Sequence, residues 1–338
     1  MESSIFKNLT TLIYMINKIE QAFVTEGKNI YNFFQRPGIG YYIPLYQREY
    51  SWDKDNIEQL LDDIGKGVEN LLETDEEIRF LGTIITIVEN NPNNIQPLDR
   101  RGLPTNVRLV IDGQQRVSTI AMFACVMYQT IDELIAKLPT KTDKETCDEL
   151  IEIAAAWKEK LIEVFSFDLR NGEPRFKPKI IRQSLDTWVR EGNIDENYGS
   201  DIANYLAKFI QYTIDKGTPP KYDRKNRVGK NLYQMYEWMQ KTVCTAHLEK
   251  TDEAFPTASQ LLAITQPYNL QDYLWQYERL NLVALIEQKD YSKQRNMSYL
   301  TAAFAQTFAA CHYLLERCYF TSIEPKNSNF LKSFLSSK

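Results

Sequence analysis

The chain has 338 residues, enough for two domains of ordinary size, and its 43% hydrophobic content supports a sizeable core, which excludes a disordered polypeptide. With 40 Lys and Arg against 45 Asp and Glu the net charge is -5, so any contact with nucleic acid needs a local basic patch rather than an overall positive field. Five scattered cysteines without a C-x-x-C pair, and only two histidines, His247 and His312, exclude a disulfide framework, a structural zinc site and a nuclease of the His-Asn-His kind.

There is no run of about 18 apolar residues and no basic-then-apolar leader, so a soluble, cytoplasmic protein without membrane association is expected. Ile5, Leu9, Leu12, Ile13, Ile16 and Ile19 recur at helical spacing over residues 4–24, with Gly27 as a stop and a short helical piece around Ile30 to Phe34. Tyr41 to Trp52 is rich in β-prone aromatics but contains Pro44, which predicts an edge strand ending at Gln47-Arg48. Ser51 or Asp53 then caps a helix whose buried stripe is Ile57, Leu60, Leu61, Ile64 and Val68. Phe80 to Val88 is the clearest strand. The Asn- and Pro-rich loop from Glu89 to Asn106 reads as a lid or binding loop, or as a mobile surface insertion.

Arg108 to Ala121 carries the most chemistry. Arg108 to Ile111 predict a strand that runs into the turn pair Asp112-Gly113. Val117, Ile120, Ala121, Ala124, Tyr128 and Ile131 then predict a helix that begins within a residue or two of Gln115 and lays one apolar face on the sheet. A helix N-terminus offers free N–H donors and partial positive charge, and Arg116, Ser118 and Thr119 add to it, so the turn suits an anion such as phosphate. The alternative is that Gly113 only turns the chain, Asp112 only caps the helix and Arg116 only pairs with a carboxylate.

Beyond Lys141 helical periodicity dominates, apart from a predicted hairpin over Val164 to Ile181 that turns at Arg170-Asn171-Gly172-Glu173. Its returning strand carries Arg175, Lys177, Lys179 and Arg182. A second basic strip, Lys221, Arg224, Lys225, Arg227 and Lys230, precedes a helix from Asn231 to Met239. Each strip is either a solvated face or a contact for phosphate, with Arg175, Lys177, Lys225 and Arg227 the candidates for a DNA backbone. The expected class is α+β, with a mixed-sheet α/β domain over residues 1–140 and a mainly helical domain over 141–338.

Three motifs in order, Ile43-Pro44-Leu45-Tyr46-Gln47-Arg48 with Tyr50 and Trp52, Phe80-Leu81-Gly82-Thr83, and Ile111-Asp112-Gly113-Gln114-Gln115-Arg116, resemble the N-terminal domain of GmrSD-type modification-dependent restriction enzymes. That domain has a ParB/sulfiredoxin-like core, and Gly113 to Arg116 matches the Gly-x-x-Arg turn with which ParB-like relatives hold nucleotide phosphate. Arg36-Pro37-Gly38-Ile39-Gly40 and Cys318-Tyr319-Phe320-Thr321 are most similar to the SspE branch, which senses phosphorothioate-modified DNA in phage defence.

The resemblance implies a nucleoside triphosphatase taking GTP or ATP with Mg²⁺. Asp112 would hold the metal or orient water, Gln114 and Gln115 would contact phosphate or water, and Arg116 would clamp the phosphates. Gln47, Arg48, Gly113, Ser118 and Thr119 would complete the nucleotide site, and Tyr42, Pro44 and Tyr46 would form an apolar wall that favours sulfur over a hydrated oxygen. It further implies DNA as partner and a nuclease supplied by a C-terminal domain or another protein, and it leaves homo-oligomerisation open. Since this chain carries no such nuclease motif, it is expected to be the N-terminal part of a longer effector or a nuclease-free member. A DNA-binding or regulatory module that holds nucleotide without turnover is the alternative.

Overall fold

In chain order, β1 (Phe23–Asn29) leads through Asn29, whose side chain accepts from the Asn32 N–H, into α1 (Ile30–Phe34) and then β2 (Ile39–Ile43). Asp53 and Asn56 form a reciprocal capping box that starts α2 (Lys54–Asn70), and β3 (Arg79–Glu89) and β4 (Asn106–Asp112) precede the central helix α3 (Gln114–Ile135). There follow α4 (Lys144–Phe165), β5 (Ser166–Asp168), β6 (Phe176–Pro178), β7 (Ile180–Arg182), α5 (Ile194–Asn197), α6 (Asp201–Asp215) and α7 (Arg227–Trp238). Then come α8 (Ala258–Leu262), α9 (Leu280–Gln288), α10 (Met297–His312) and β8 (Cys318–Pro325). This computed structural model describes residues 23–35, 38–74, 76–168, 176–248, 255–262, 280–293 and 296–326.

Six strands form one mixed sheet in the order β1-β8-β3-β4-β2-β7. β2 is not the expected edge strand. It lies between β4 and β7, parallel to both, and stops at Ile43 because Pro44 has no N–H to continue the ladder. Both neighbours come from distant sequence, which local alternation does not report. The helix expected over 4–24 lies outside the described residues except for Phe23 and Val24, which begin β1 opposite β8. The hairpin is present as β5 paired antiparallel with β6, while its turn and Arg175 lie outside the described residues.

Ile39, Tyr41 and Ile43 of β2 face the main core, and Tyr42 faces a smaller one with Ile95, Val107, Ile181 and Trp188. The loop after β3 is anchored near its middle. Ile95 is buried beneath it, and the Tyr42 hydroxyl donates to Gln96 O (3.1 Å) and accepts from Gln96 N (3.0 Å). Helix α3 is buried all round rather than on one face, because α4, α6, α7 and α10 enclose it against the sheet. The main core runs from Ile30 to Phe320, so a cut after residue 140 would divide both that core and the sheet. Among the described residues no helix is long and apolar enough to cross a membrane.

Candidate functional site

Parallel pairing puts the carboxyl ends of β2, β4 and β7 on one edge of the sheet, the edge where ligands bind in open α/β sheets. β3, antiparallel to β4, begins at the same edge, with Ile85 opposite Asp112. The turn after β4 is tight. Gly113 sits at φ 89° as the N-cap of α3, and a Cβ there would lie 2.2 Å from Ile84 Cδ1 and 3.0 Å from Thr83 O. Only glycine fits, and lacking a side chain it leaves the first N–H groups of α3 without a side-chain cap. Asp112 does not cap the helix; it ends β4 as an exposed carboxylate.

Arg116 turns back over β3. Its Nη1 lies 3.5 Å from Thr83 O, and its guanidinium rests on Gly82, where a Cβ would come within 2.9 Å of Cζ and Nε. Gly82 has φ 111°, at a register shift in β3, so the approach depends on a second glycine. Among the described residues Arg116 makes no ion pair with a carboxylate, so the reading in which it only balances an acid has no support here.

The loop from Pro44 to Asp53 lies across the start of α3 and is held almost wholly through its backbone. Gln47 donates through Nε2 to Ile111 O (2.5 Å), Gln114 donates to Arg48 O (2.5 Å), and Gln115 donates to Glu49 O (3.1 Å). Gln115 Oε1 also accepts the N–H groups of Ser51 (2.8 Å) and Trp52 (3.3 Å). From β7, Arg182 donates to Gln47 O (2.6 Å) and Arg48 O (3.1 Å); from α7, Arg227 donates to Ser51 O (2.9 Å) and Asn231 to Trp52 O (2.8 Å). Tyr50 shares a hydrogen bond with Thr119 (2.8 Å), and burial pushes its phenol up to about 12.

The structure thus gathers Gln47, Arg48, Asp112, Gly113, Gln114, Gln115, Arg116 and Thr119 at one edge. The carboxamides of Gln114 and Gln115 face the loop. Gln115 has both acceptor positions and one N–H committed there, which makes it a positioning residue in this arrangement. The proposed apolar wall is divided. Tyr42 is 1% exposed and points into the second core, Pro44 is buried, and Tyr46 is 61% exposed.

The basic strips are dispersed as well. Lys177 donates to Arg190 O (2.9 Å), Lys225 is exposed, and Arg227 belongs to the loop clamp. Charge counting assigned Arg182 to a basic strip and missed its clamp role, and no pattern in the sequence marks Asn231 or Asp186. Buried Asp186 accepts from Arg182 N (2.7 Å), Ser200 N (2.8 Å) and Ser200 Oγ (2.7 Å), fixing the end of β7 to the start of α6. Burial raises its carboxyl pKa against those hydrogen bonds.

No group of three or more His, Cys, Asp or Glu able to hold a metal ion occurs among the described residues. A lone exposed carboxylate such as Asp112 fits a Mg²⁺ that arrives with phosphate oxygens and keeps several of its waters, the usual manner of that ion. These features define a class: a mixed-sheet α+β protein with an uncapped helix N-terminus and an acid-free arginine at its switch edge. Residues 30–329 match the family GmrSD restriction endonuclease, N-terminal domain, and the chain belongs to that family. It is part of a restriction system. No curated relative matches the chain.

Proposed function

We propose that this chain is the nucleotide-hydrolysing, modified-DNA-sensing part of its restriction system, and that a triphosphate sits at the Asp112 to Arg116 turn. The observation that carries this reading is Arg116, a guanidinium with no acidic partner among the described residues, poised over Gly82 beside the uncapped start of α3. Phosphoryl transfer needs positioning and positive charge more than covalent help, and such a group supplies both. Mg²⁺, held by Asp112 and the phosphates, would neutralise charge on the transferring group. Exposed Tyr46 and Arg48 offer the surface for DNA, the aromatic for a soft, weakly hydrated sulfur and the guanidinium for the backbone. Because Gln114 and Gln115 grip the backbone of that same loop, displacement of the loop by DNA would pull on the first turn of α3.

The test is phosphate release from ATP and GTP with Mg²⁺, with and without a phosphorothioate duplex. Arg116→Ala is expected to lower turnover by about 10³-fold or more while the far-UV spectrum and melting temperature stay near wild type. Unchanged turnover would remove the assignment. A second reading, nucleotide binding without turnover, draws on the commitment of Gln114 and Gln115 to the loop, which leaves little to orient a water. Nucleotide binding by calorimetry with no phosphate release would favour it.

A further inference from the structure

Beside the same helix start lies a cleft of about 220 Å³ whose lining includes neither Gly113 nor Arg116. It opens between the end of β7, the start of α6 and the start of α7, and Gln114, Gln115 and Ser118 of α3 form its floor. Ser118 is the odd group there. Its residue is 1% exposed, it lines the cleft, and among the described residues its hydroxyl has no hydrogen-bond partner. That hydroxyl opens to the cleft and is free to bond a ligand there, unlike that of Thr119 one residue on, which is bonded to Tyr50. Aliphatic residues alternate with polar ones around the rest of the wall, among them Ile43, Ile202 and Val228, and Leu185 stands 47% exposed there although it is large and apolar. Mostly apolar walls around a few convergent polar groups are the usual make-up of a small-ligand pocket.

We infer that this cleft takes the nucleoside end of the nucleotide whose phosphates lie at the Gly113 turn. The inference rests on the triphosphate reading above and adds to it the recognition of base and sugar. The first turn of α3 is common to both places, with Gln114 and Gln115 lining the cleft and Gly113 and Arg116 forming the turn, so one ligand can touch both. The flat faces of a base suit the aliphatic wall, and Ser118 gains from a base or ribose the hydrogen bond that the protein does not give it. Arg182 and Arg227 are turned to the loop carbonyls, and Glu49 and Asp201 also line the cleft, so the lining carries no surplus of positive charge to draw phosphate there instead.

Calorimetry on the full chain with Mg²⁺ tests this by comparing ATP and GTP with inorganic tripolyphosphate. Wild type is expected to bind a nucleoside triphosphate at least about tenfold more tightly than tripolyphosphate, the size of one apolar contact plus one hydrogen bond. Ser118→Leu, which fills the floor, is expected to weaken nucleotide binding, and Leu185→Ala, which trims an exposed side chain and spares the fold, is expected to bring the nucleotide toward the tripolyphosphate affinity and leave the latter unchanged. Tight nucleotide binding that survives both substitutions overturns the nucleoside site and leaves the phosphate turn standing. Wild type that binds neither ligand overturns the triphosphate reading, and the nucleoside site with it.

Discussion

Gly82 and Gly113 show how two residues without side chains place one with a long one. Gly113 at φ 89° lets β4 turn into α3 against Ile84, and Gly82 at φ 111° lets the Arg116 guanidinium lie flat on β3. Gly82→Ala puts a Cβ 2.9 Å from Arg116 Cζ, and the flexible arginine moves more cheaply than the strand. The strained φ is expected to cost about 1–3 kcal/mol in a urea titration, and under the proposed triphosphatase function phosphate release is expected to fall because Arg116 is displaced. Activity in Gly82→Ala with Arg116→Ala should then be no lower than in Arg116→Ala alone; a further drop would mean that Gly82 acts by another route. The Asp112-Gly113 turn was legible, because a glycine between a β-prone run and a helical period has few other uses. Gly82 gave no such signal, since its reason is the approach of a side chain 34 positions away.

At the scale of an element, the loop after β2 is the structure's least predictable piece. Its aromatics alternate like a strand, yet its carbonyls and N–H groups are taken by side chains of α3, β7 and α7, and no local pattern announces partners so far along the chain. Gln115→Leu strands Ser51 N, Trp52 N and Glu49 O together, which is expected to cost about 2–4 kcal/mol by urea denaturation. Gln115→Glu keeps an acceptor for the two N–H groups and should lose less; equal losses would show that the volume of the side chain matters and its hydrogen bonds do not.

A second such link joins α1 and α4 to the sheet, since buried Lys179 donates to Phe34 O (2.5 Å) and Glu163 O (2.6 Å). Burial lowers its pKa from 10.5 to about 8, against the attraction of Glu163. The unfolded chain keeps that proton up to its own higher pKa, so the cost is fully present below pH 8 and fades as pH rises toward 10.5. Relative to Lys179→Met, wild type should therefore gain about 2 kcal/mol between pH 7.5 and 9.5; a parallel pH dependence of the two proteins would place the charge elsewhere.

For the molecule as a whole, the sequence suggested a sheet-bearing first part and a helical second, and the helices α1, α2 and α3 and the strands β3 and β4 lie where periodicity put them. Connectivity was hidden, because strand partners far apart leave no mark in local pattern. β8, from the last part of the described chain, sits between β1 and β3, antiparallel to one and parallel to the other, and β7 flanks β2. Helix α3 is buried all round only because α4, α6, α7 and α10, all beyond residue 140, surround it. A fragment of residues 1–140 would expose Phe123, Met127 and Ile131 and leave β1 without its only partner strand among the described residues. Such a fragment is expected to show no cooperative thermal transition by circular dichroism, while the full chain unfolds in one step with coincident dichroism and tryptophan fluorescence. A cooperative melt of the fragment would support a domain boundary near residue 140. Its absence would mean that the Arg116 turn exists only when both parts are folded, because the loop over that turn is held by Arg182 from β7 and by Arg227 and Asn231 from α7.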